Sequence, residues 1–135
     1  MRKVSLVIAV CGILALALSV MGQNPADLKT AMTGIGPAWA SLQMNLDSGN
    51  AAGVAADAAK LEGLFKDTEA FFTKSKMQQP AGWAKEEVEA AGAAAKAAKA
   101  GTVDKAAKAS IGKCKQCHDV YRQKNQDGSF GLKAQ

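Results

Sequence analysis

The core positions of the first half of the chain advance in alternating steps of four and three residues, and this spacing limits the folds available to it. Residues 28–46 carry apolar side chains at steps of 4, 3, 4, 3 and 4, and residues 54–72 repeat the series. Such steps place one apolar stripe along an α-helix, whereas a strand needs an alternation of period two. The pattern predicts helices over residues 25–47 and 51–74, with a kink or break at Pro37.

Turn-forming residues separate these segments and delimit two more helices. Asn50 is a suitable N-cap for the second helix. A third helix is predicted over residues 80–100 and ends before Gly101, and a fourth starts after Thr102, its N-cap, and fades near residue 124. Four amphipathic helices with short connections predict an all-α fold, an antiparallel up-down-up-down four-helix bundle. Residues 126–135 are expected to form a C-terminal tail.

The predicted core is small for such a bundle. The third and fourth helices are largely alanine, and aromatic residues make up only 5% of the chain. A domain of this size normally needs more large apolar side chains. A large apolar cofactor between the helices would supply the missing buried surface.

The N-terminal segment predicts export. Two positive charges lie within residues 1–3, and residues 4–22 carry none. This is the layout of a secretory signal peptide over residues 1–22, with cleavage favoured after Gly22 and a second option near residues 15–17. The mature domain is then residues 23–135, located in the periplasm, and Cys11 is lost with the signal. The alternative is an uncleaved membrane anchor.

The charged residues exclude several classes of function. Loss of Arg2 and Lys3 with the signal reduces the formal net charge from +5 to +3. The remaining lysines are spread along the chain without interleaved aromatic residues, so nucleic-acid binding is not expected. No acid–base pair, nucleophile or phosphate loop is visible, so we do not expect an enzyme.

A group of lysines on the third and fourth helices has two interpretations. It forms a docking face for an acidic redox partner, or it is simply a solvated basic face. The residues are Lys96, Lys99, Lys105, Lys108, Lys113 and Lys115.

The segment from Cys114 to His118 has the spacing Cys-x-x-Cys-His, which is the attachment motif of c-type haem. On a helix, thiols three residues apart lie on one face, where they can form thioethers with the two vinyl groups of one haem. His118 follows on the same face and can ligate the iron. Such haem is attached outside the cytoplasm, so the motif and the export signal support one another. The sequence predicts one covalently bound haem c.

Three other interpretations of the cysteine pair are weaker. A thioredoxin-like redox pair needs a helix N-terminus beside a sheet to lower the thiol pKa, whereas this motif is predicted near a helix C-terminus with no strands. A structural zinc site needs four ligands, and the mature chain offers Cys114, Cys117 and His118. A disulfide between residues three apart on a helix has poor geometry.

Residues 114–122, near the C-terminus of a four-helix chain, resemble the cytochrome c prime family, the class II cytochromes c. The resemblance covers the mature chain in architecture but is sharp only over residues 112–122, and class I cytochromes c carry the motif near the N-terminus instead. It implies that Cys114 and Cys117 bind the haem and that His118 is the proximal iron ligand. Arg122 matches an arginine common near the proximal side of the haem; otherwise it is a solvated helix-end residue.

The resemblance also implies that the first helix supplies the distal side of the haem, with a methionine in low-spin members and an apolar residue in pentacoordinate ones. Met32 lies on the apolar stripe and is the candidate iron ligand, or it is a core residue. Met44 is off the stripe and Met77 is in a loop, so both are poorer candidates. The family's usual arginine before the distal position is absent, since Leu28 and Lys29 stand there.

Three functions follow from these features. The first is periplasmic electron transfer with redox partner proteins. The second is binding of nitric oxide or another small gas at an open distal site. The third, more distant, is a non-haem helical adaptor held at the membrane by its N-terminus. The family resemblance leaves a homodimer open.

Overall fold

The computed structural model describes residues 25–109 and 111–134, and this part of the chain is mostly helical. Three long helices pack together and are followed by two short helices and a two-stranded antiparallel sheet. The elements are α1 (Pro25–Asp47), α2 (Ala51–Lys74), α3 (Gln78–Lys99), α4 (Val103–Ala107), α5 (Cys114–Tyr121), β1 (Arg122–Lys124) and β2 (Phe130–Leu132).

The first three helices confirm the sequence prediction. The α1 helix runs through Pro37 without a break. At the start of α2, the side chain of Asn50 accepts a 3.1 Å hydrogen bond from the backbone N–H of Gly53 and so caps the helix. After α3, Gly101 adopts a left-handed backbone with φ of 75°, which ends the helix at little steric cost.

The α2 helix packs against both α1 and α3, and the main core lies along it. All six predicted core positions of α2 are buried, including Val54, Leu61 and Phe65. The face that α3 turns toward them is alanine, which allows a close approach but fills little volume. A second cluster of Leu28, Phe71 and Phe72 lies at the other end of the helices.

The prediction of one continuous fourth helix is wrong. The chain is helical over α4 and again over α5, with no helix assigned across the described residues between Ala107 and Cys114. In that interval, the backbone N–H groups of Gly112 and Lys113 donate to the side chain of Glu87 on α3. These bonds withdraw the two amides from a helical pattern, so α5 begins at Cys114 and the motif lies at a helix start rather than near a helix end.

The C-terminal segment forms a hairpin beside the motif. Residues 130–132, part of the predicted tail, pair with residues 122–124 in antiparallel register. Gly128 in the connecting turn has a φ of 83°. The expectation that no strand lies near the motif was therefore wrong.

Within residues 25–109 and 111–134, no helix has the length and apolarity needed to cross a membrane. The predicted signal peptide, residues 1–22, lies outside the described residues, as does Cys11.

Candidate cofactor site

A cavity of about 1140 Å³ lies among α1, α2, α3, α5 and the hairpin. Small-molecule and cofactor sites usually measure about 300–1,000 Å³ and are mostly apolar, so this cavity suits a large ligand. Its walls include apolar side chains from α1, α2, α3 and β2, among them Leu28, Ile35, Phe65, Phe72, Trp83 and Leu132.

All five residues that the sequence singled out line this cavity. Cys114, Cys117 and His118 come from α5, Arg122 from the start of β1, and Met32 from α1. Residues some 80 positions apart in sequence are thus brought to one space. The other methionine candidates are elsewhere: Met44 is 71% exposed, and Met77 packs against the cluster of Leu28, Phe71 and Phe72.

The α5 helix presents the motif as its first five residues. The thiols of Cys114 and Cys117 are free. Helical geometry puts their Cα atoms about 4.5 Å apart along the axis and on one face, with His118 on the same face. Both thiols and the imidazole can therefore act on one ligand in the cavity.

Contacts with α3 hold α5 in place at both ends. At its C-terminal end, the Tyr121 hydroxyl donates a 2.7 Å hydrogen bond to Oε1 of Gln79. The Tyr121 ring also meets the Trp83 ring edge-on, with 5.9 Å between centroids. At its N-terminal end, Nζ of Lys113 lies 3.1 Å from a carboxylate oxygen of Glu86.

The two thiols are poor nucleophiles in this environment. Although Cys114 is exposed at the cavity mouth, partial desolvation by the surrounding protein raises its pKa, and the negative charge of Glu87 raises it further. Burial also raises the pKa of Cys117, with a further contribution from Cys114. A redox-active dithiol needs a lowered pKa. Although Cys114 begins a helix, a thioredoxin-like reaction is therefore disfavoured.

The surroundings of His118 favour the neutral form of its imidazole. Burial lowers the pKa of His118, and the nearby Arg122 cation lowers it further, while Asp119 acts in the opposite sense. Near neutral pH the ring is therefore neutral, which is the form that ligates metals. Asp119 forms a salt bridge with Lys115, with 2.6 Å between Oδ2 of Asp119 and Nζ of Lys115.

Arg122 is exposed and is the C-cap residue of α5, so the helix-end interpretation describes its position. It is the first residue of β1, and its guanidinium carbon lies 4.5 Å from the centroid of the Phe130 ring. Cation–π stacking at an exposed site of this kind contributes about 0.5–1 kcal/mol. Arg122 thus joins the hairpin to the cavity wall and brings a positive charge to the vicinity of His118.

Sequence reasoning missed Glu87, which lines the cavity and is only 3% exposed. The signal was present, since residues 80, 84, 87, 91, 94 and 98 of α3 advance by 4, 3, 4, 3 and 4, and all are buried. The larger apolar residues of α3, Trp83 and Val88, lie beside this stripe and are only half-buried. Trp39, expected in the core, is 37% exposed and lines the cavity.

Among the described residues, no three His, Cys, Asp or Glu side chains cluster as a site for a metal ion held by the protein alone. No protein-family model, curated protein or solved structure matches the chain.

Proposed function

We propose that this protein is a periplasmic monohaem c-type cytochrome that transfers electrons. Cys114 and Cys117 are the thioether positions and His118 is the proximal iron ligand. The observation that carries the proposal is that both cysteines and the chain's only histidine line one large cavity with largely apolar walls. The three long helices α1, α2 and α3 pack together, and in the proposed class II bundle the α4 and α5 segment would take the fourth position.

The residues of the cavity fit haem in their chemistry. Haem is a wide, mainly apolar ring with two carboxylates, and the ring itself supplies the equatorial ligands of the iron. The protein then needs apolar walls, two thiols, one axial imidazole and positive charge for the carboxylates. The lining contains each of these, with cations from Lys29, Lys113 and Arg122.

When bound, haem supplies a one-electron couple. The protein's own residues determine how that couple is used. With haem bound, the neutral imidazole of His118 would offer its lone pair to the iron. Met32, half-buried on α1 and lining the same cavity, is the proposed second protein ligand, and its thioether would raise the reduction potential. Of the six lysines considered as a docking face, Lys113 lines the cavity, where its positive charge would favour the approach of an acidic redox partner.

Gas binding is the second candidate, and one observation favours it. Gly36 lines the cavity, and a Cβ added there would meet no atom within 4 Å. The α1 side of the cavity therefore has room for a diatomic ligand if Met32 stays in the apolar packing that it makes with both core clusters. A non-haem adaptor uses neither the cavity nor the motif, and we rank it last.

The test is expression of the full chain in a host that matures c-type haem. We expect the exported protein to retain haem through denaturing electrophoresis. A Cys114→Ser, Cys117→Ser variant should lose all covalent haem, whereas Cys11→Ser should keep it because Cys11 is removed with the signal. A colourless wild-type protein, correctly exported, would contradict the proposal.

A further inference from the structure

Glu87 is a charged residue in an otherwise alanine-lined face of α3. It is 3% exposed and contributes to the wall of the cavity that contains the motif. A buried carboxylate is costly unless it is hydrogen-bonded or paired. Its place in this fold therefore requires an explanation.

One oxygen of the Glu87 carboxylate holds the start of α5. Oε1 accepts a 3.0 Å hydrogen bond from the backbone N–H of Gly112 and a second, shorter bond from that of Lys113. Both amides lie immediately before Cys114, the first residue of α5. The carboxylate thus fixes where the motif begins relative to α3.

The second oxygen is unused by the protein. Oε2 of Glu87 is buried and has no hydrogen-bond partner among the described residues. Removing a buried acceptor from water without a partner is unfavourable. One oxygen would suffice for the capping role, so the retained charge points to a second role.

The neighbouring Glu86 has the opposite environment. Its side chain is 55% exposed, and one of its oxygens lies 3.1 Å from Nζ of Lys113. Two adjacent acids of α3 therefore contact Lys113: the exposed Glu86 pairs with its side chain, and the buried Glu87 accepts from its backbone N–H. Only the inner carboxylate lines the cavity.

The negative charge of Glu87 interacts electrostatically with the Cys-x-x-Cys-His motif. It is the second largest cause, after burial, of the raised pKa of Cys114. A negative charge that disfavours the thiolate also favours any neighbouring cation. At a protein site the effective dielectric constant is about 20 rather than the value of about 80 in bulk water, so such a charge acts about four times more strongly than the same pair in water.

We propose that Glu87 is a positioning residue of the haem site that also lowers the reduction potential of the iron, an inference that rests on the proposed haem attachment. Oε1 sets the position of Cys114 by capping α5, and the buried negative charge stabilises the oxidised, more positive iron. Reduction transfers one electron from the donor to the iron and no proton. The carboxylate thereby biases the equilibrium toward the ferric form.

Three variants of the haem-loaded protein separate the two roles. Glu87→Gln removes the charge but keeps an oxygen that can accept from both amides. Glu87→Ala removes the charge and the cap. Glu86→Gln removes the same formal charge from the adjacent, exposed position. For each variant we would measure covalent haem content, the redox equilibrium against a reference couple, and hydrogen exchange of the Gly112 and Lys113 amides.

We expect Glu87→Gln to keep its haem and slow exchange at both amides, and to shift the equilibrium toward the ferrous form by about tenfold, or about 59 mV for one electron. Glu86→Gln should shift it by less than about twofold, because solvent screens its charge. Glu87→Ala should speed exchange at both amides and lower the haem yield. A haem-loaded Glu87→Gln protein with the wild-type equilibrium would overturn this inference alone, whereas a wild type without haem would overturn it together with the proposed function.

Discussion

The hydroxyl of Tyr121 donates a 2.7 Å hydrogen bond to Oε1 of Gln79, which joins the last residue of α5 to the first turn of α3. An isolated helix of eight residues is not stable in water. The α5 helix therefore keeps its shape through α3, held by Tyr121 at one end and by Glu87 at the other. The geometry of the Cys-x-x-Cys-His motif depends on these two attachments.

Substitution of Tyr121 should expose this dependence. Tyr121→Phe removes only the hydrogen bond to Gln79 and should lower the free energy of unfolding by about 1 kcal/mol. Tyr121→Ala also removes a buried ring and its edge contact with Trp83, so it should cost about 3 kcal/mol or more. Urea unfolding of the haem-free chain measures both. In a double-mutant cycle, Tyr121→Phe should add nothing to Gln79→Ala; full additivity of the two changes would show that the bond contributes no stability.

Two glycines of α2, Gly53 and Gly63, should respond in opposite ways to replacement by alanine. A Cβ built at Gly53 would overlap the side-chain amide of Asn45 on α1. That amide donates a 2.7 Å hydrogen bond to Asp57 and accepts one of 2.8 Å from Asn50, so it cannot move freely. Gly53→Ala should therefore destabilise the protein by about 1–3 kcal/mol.

Gly63 is the matched control for this change. It lies inside the same helix, and an added Cβ would meet no atom within 4 Å. Gly63→Ala should stabilise the protein by up to about 1 kcal/mol, because alanine has the higher helix propensity. Thermal unfolding of both variants measures the difference. Equal shifts of the unfolding temperature in the two variants would show that Asn45 of α1 does not approach Gly53 of α2 closely.

The parts of the fold that were predictable from sequence are those fixed by local pattern. The α2 stripe from Val54 to Phe72 was correct at every position, because the helical period alone places those side chains on one face. The break before Cys114 was not predictable in this way. It depends on bonds from Gly112 and Lys113 to Glu87, which lies 25 and 26 residues earlier in the chain.

The residues that meet in the cavity were named from the sequence but the elements around them were not, and the role of these residues at a haem stays a prediction. Cys114, Cys117 and His118 form a motif whose chemistry fixes its spacing, so no structure was needed to find it. Glu87 was missed because a glutamate among alanines is normally a solvated residue. The β1 and β2 strands were missed because three residues are too few for an alternating pattern, although Asp-Gly at residues 127 and 128 is a dipeptide typical of turns.

The pKa of His118 predicts how stability depends on pH in the haem-free chain. Burial and the Arg122 cation favour the neutral ring, so the unfolded chain binds the proton more readily than the folded chain. The contribution to stability is therefore fully present above the ordinary pKa of 6.5 and declines as the pH falls through 6.5 toward the lower folded-state value. The pKa values of Asp119 and Asp127 lie below 3.8, so these groups titrate outside this interval.

Urea midpoints from about pH 8 to about pH 5 measure this effect, with His118→Gln as the control. The wild-type protein should lose stability across the interval, and the variant should lose less. Parallel profiles for the two proteins would show that His118 has the same pKa in the folded and unfolded chains.

Met32 decides between electron transfer and gas binding in the haem-loaded protein. If its thioether ligates the iron, the wild type is low-spin, shows a sulfur–iron charge-transfer band, and binds carbon monoxide slowly because the ligand must first leave. Met32→Ala should then become high-spin and bind carbon monoxide rapidly. Met32→Leu, which nearly conserves the volume, should do the same, since it fills the space without offering sulfur.

Met44→Ala is the control for these spectra, because Met44 is 71% exposed and lies away from the cavity. Its spectrum should equal that of the wild type. A high-spin wild type that binds carbon monoxide or nitric oxide as fast as Met32→Leu would contradict ligation by Met32. In that case Met32 is a packing residue between the two core clusters, the space beside Gly36 becomes the distal site, and gas binding becomes the better-supported function.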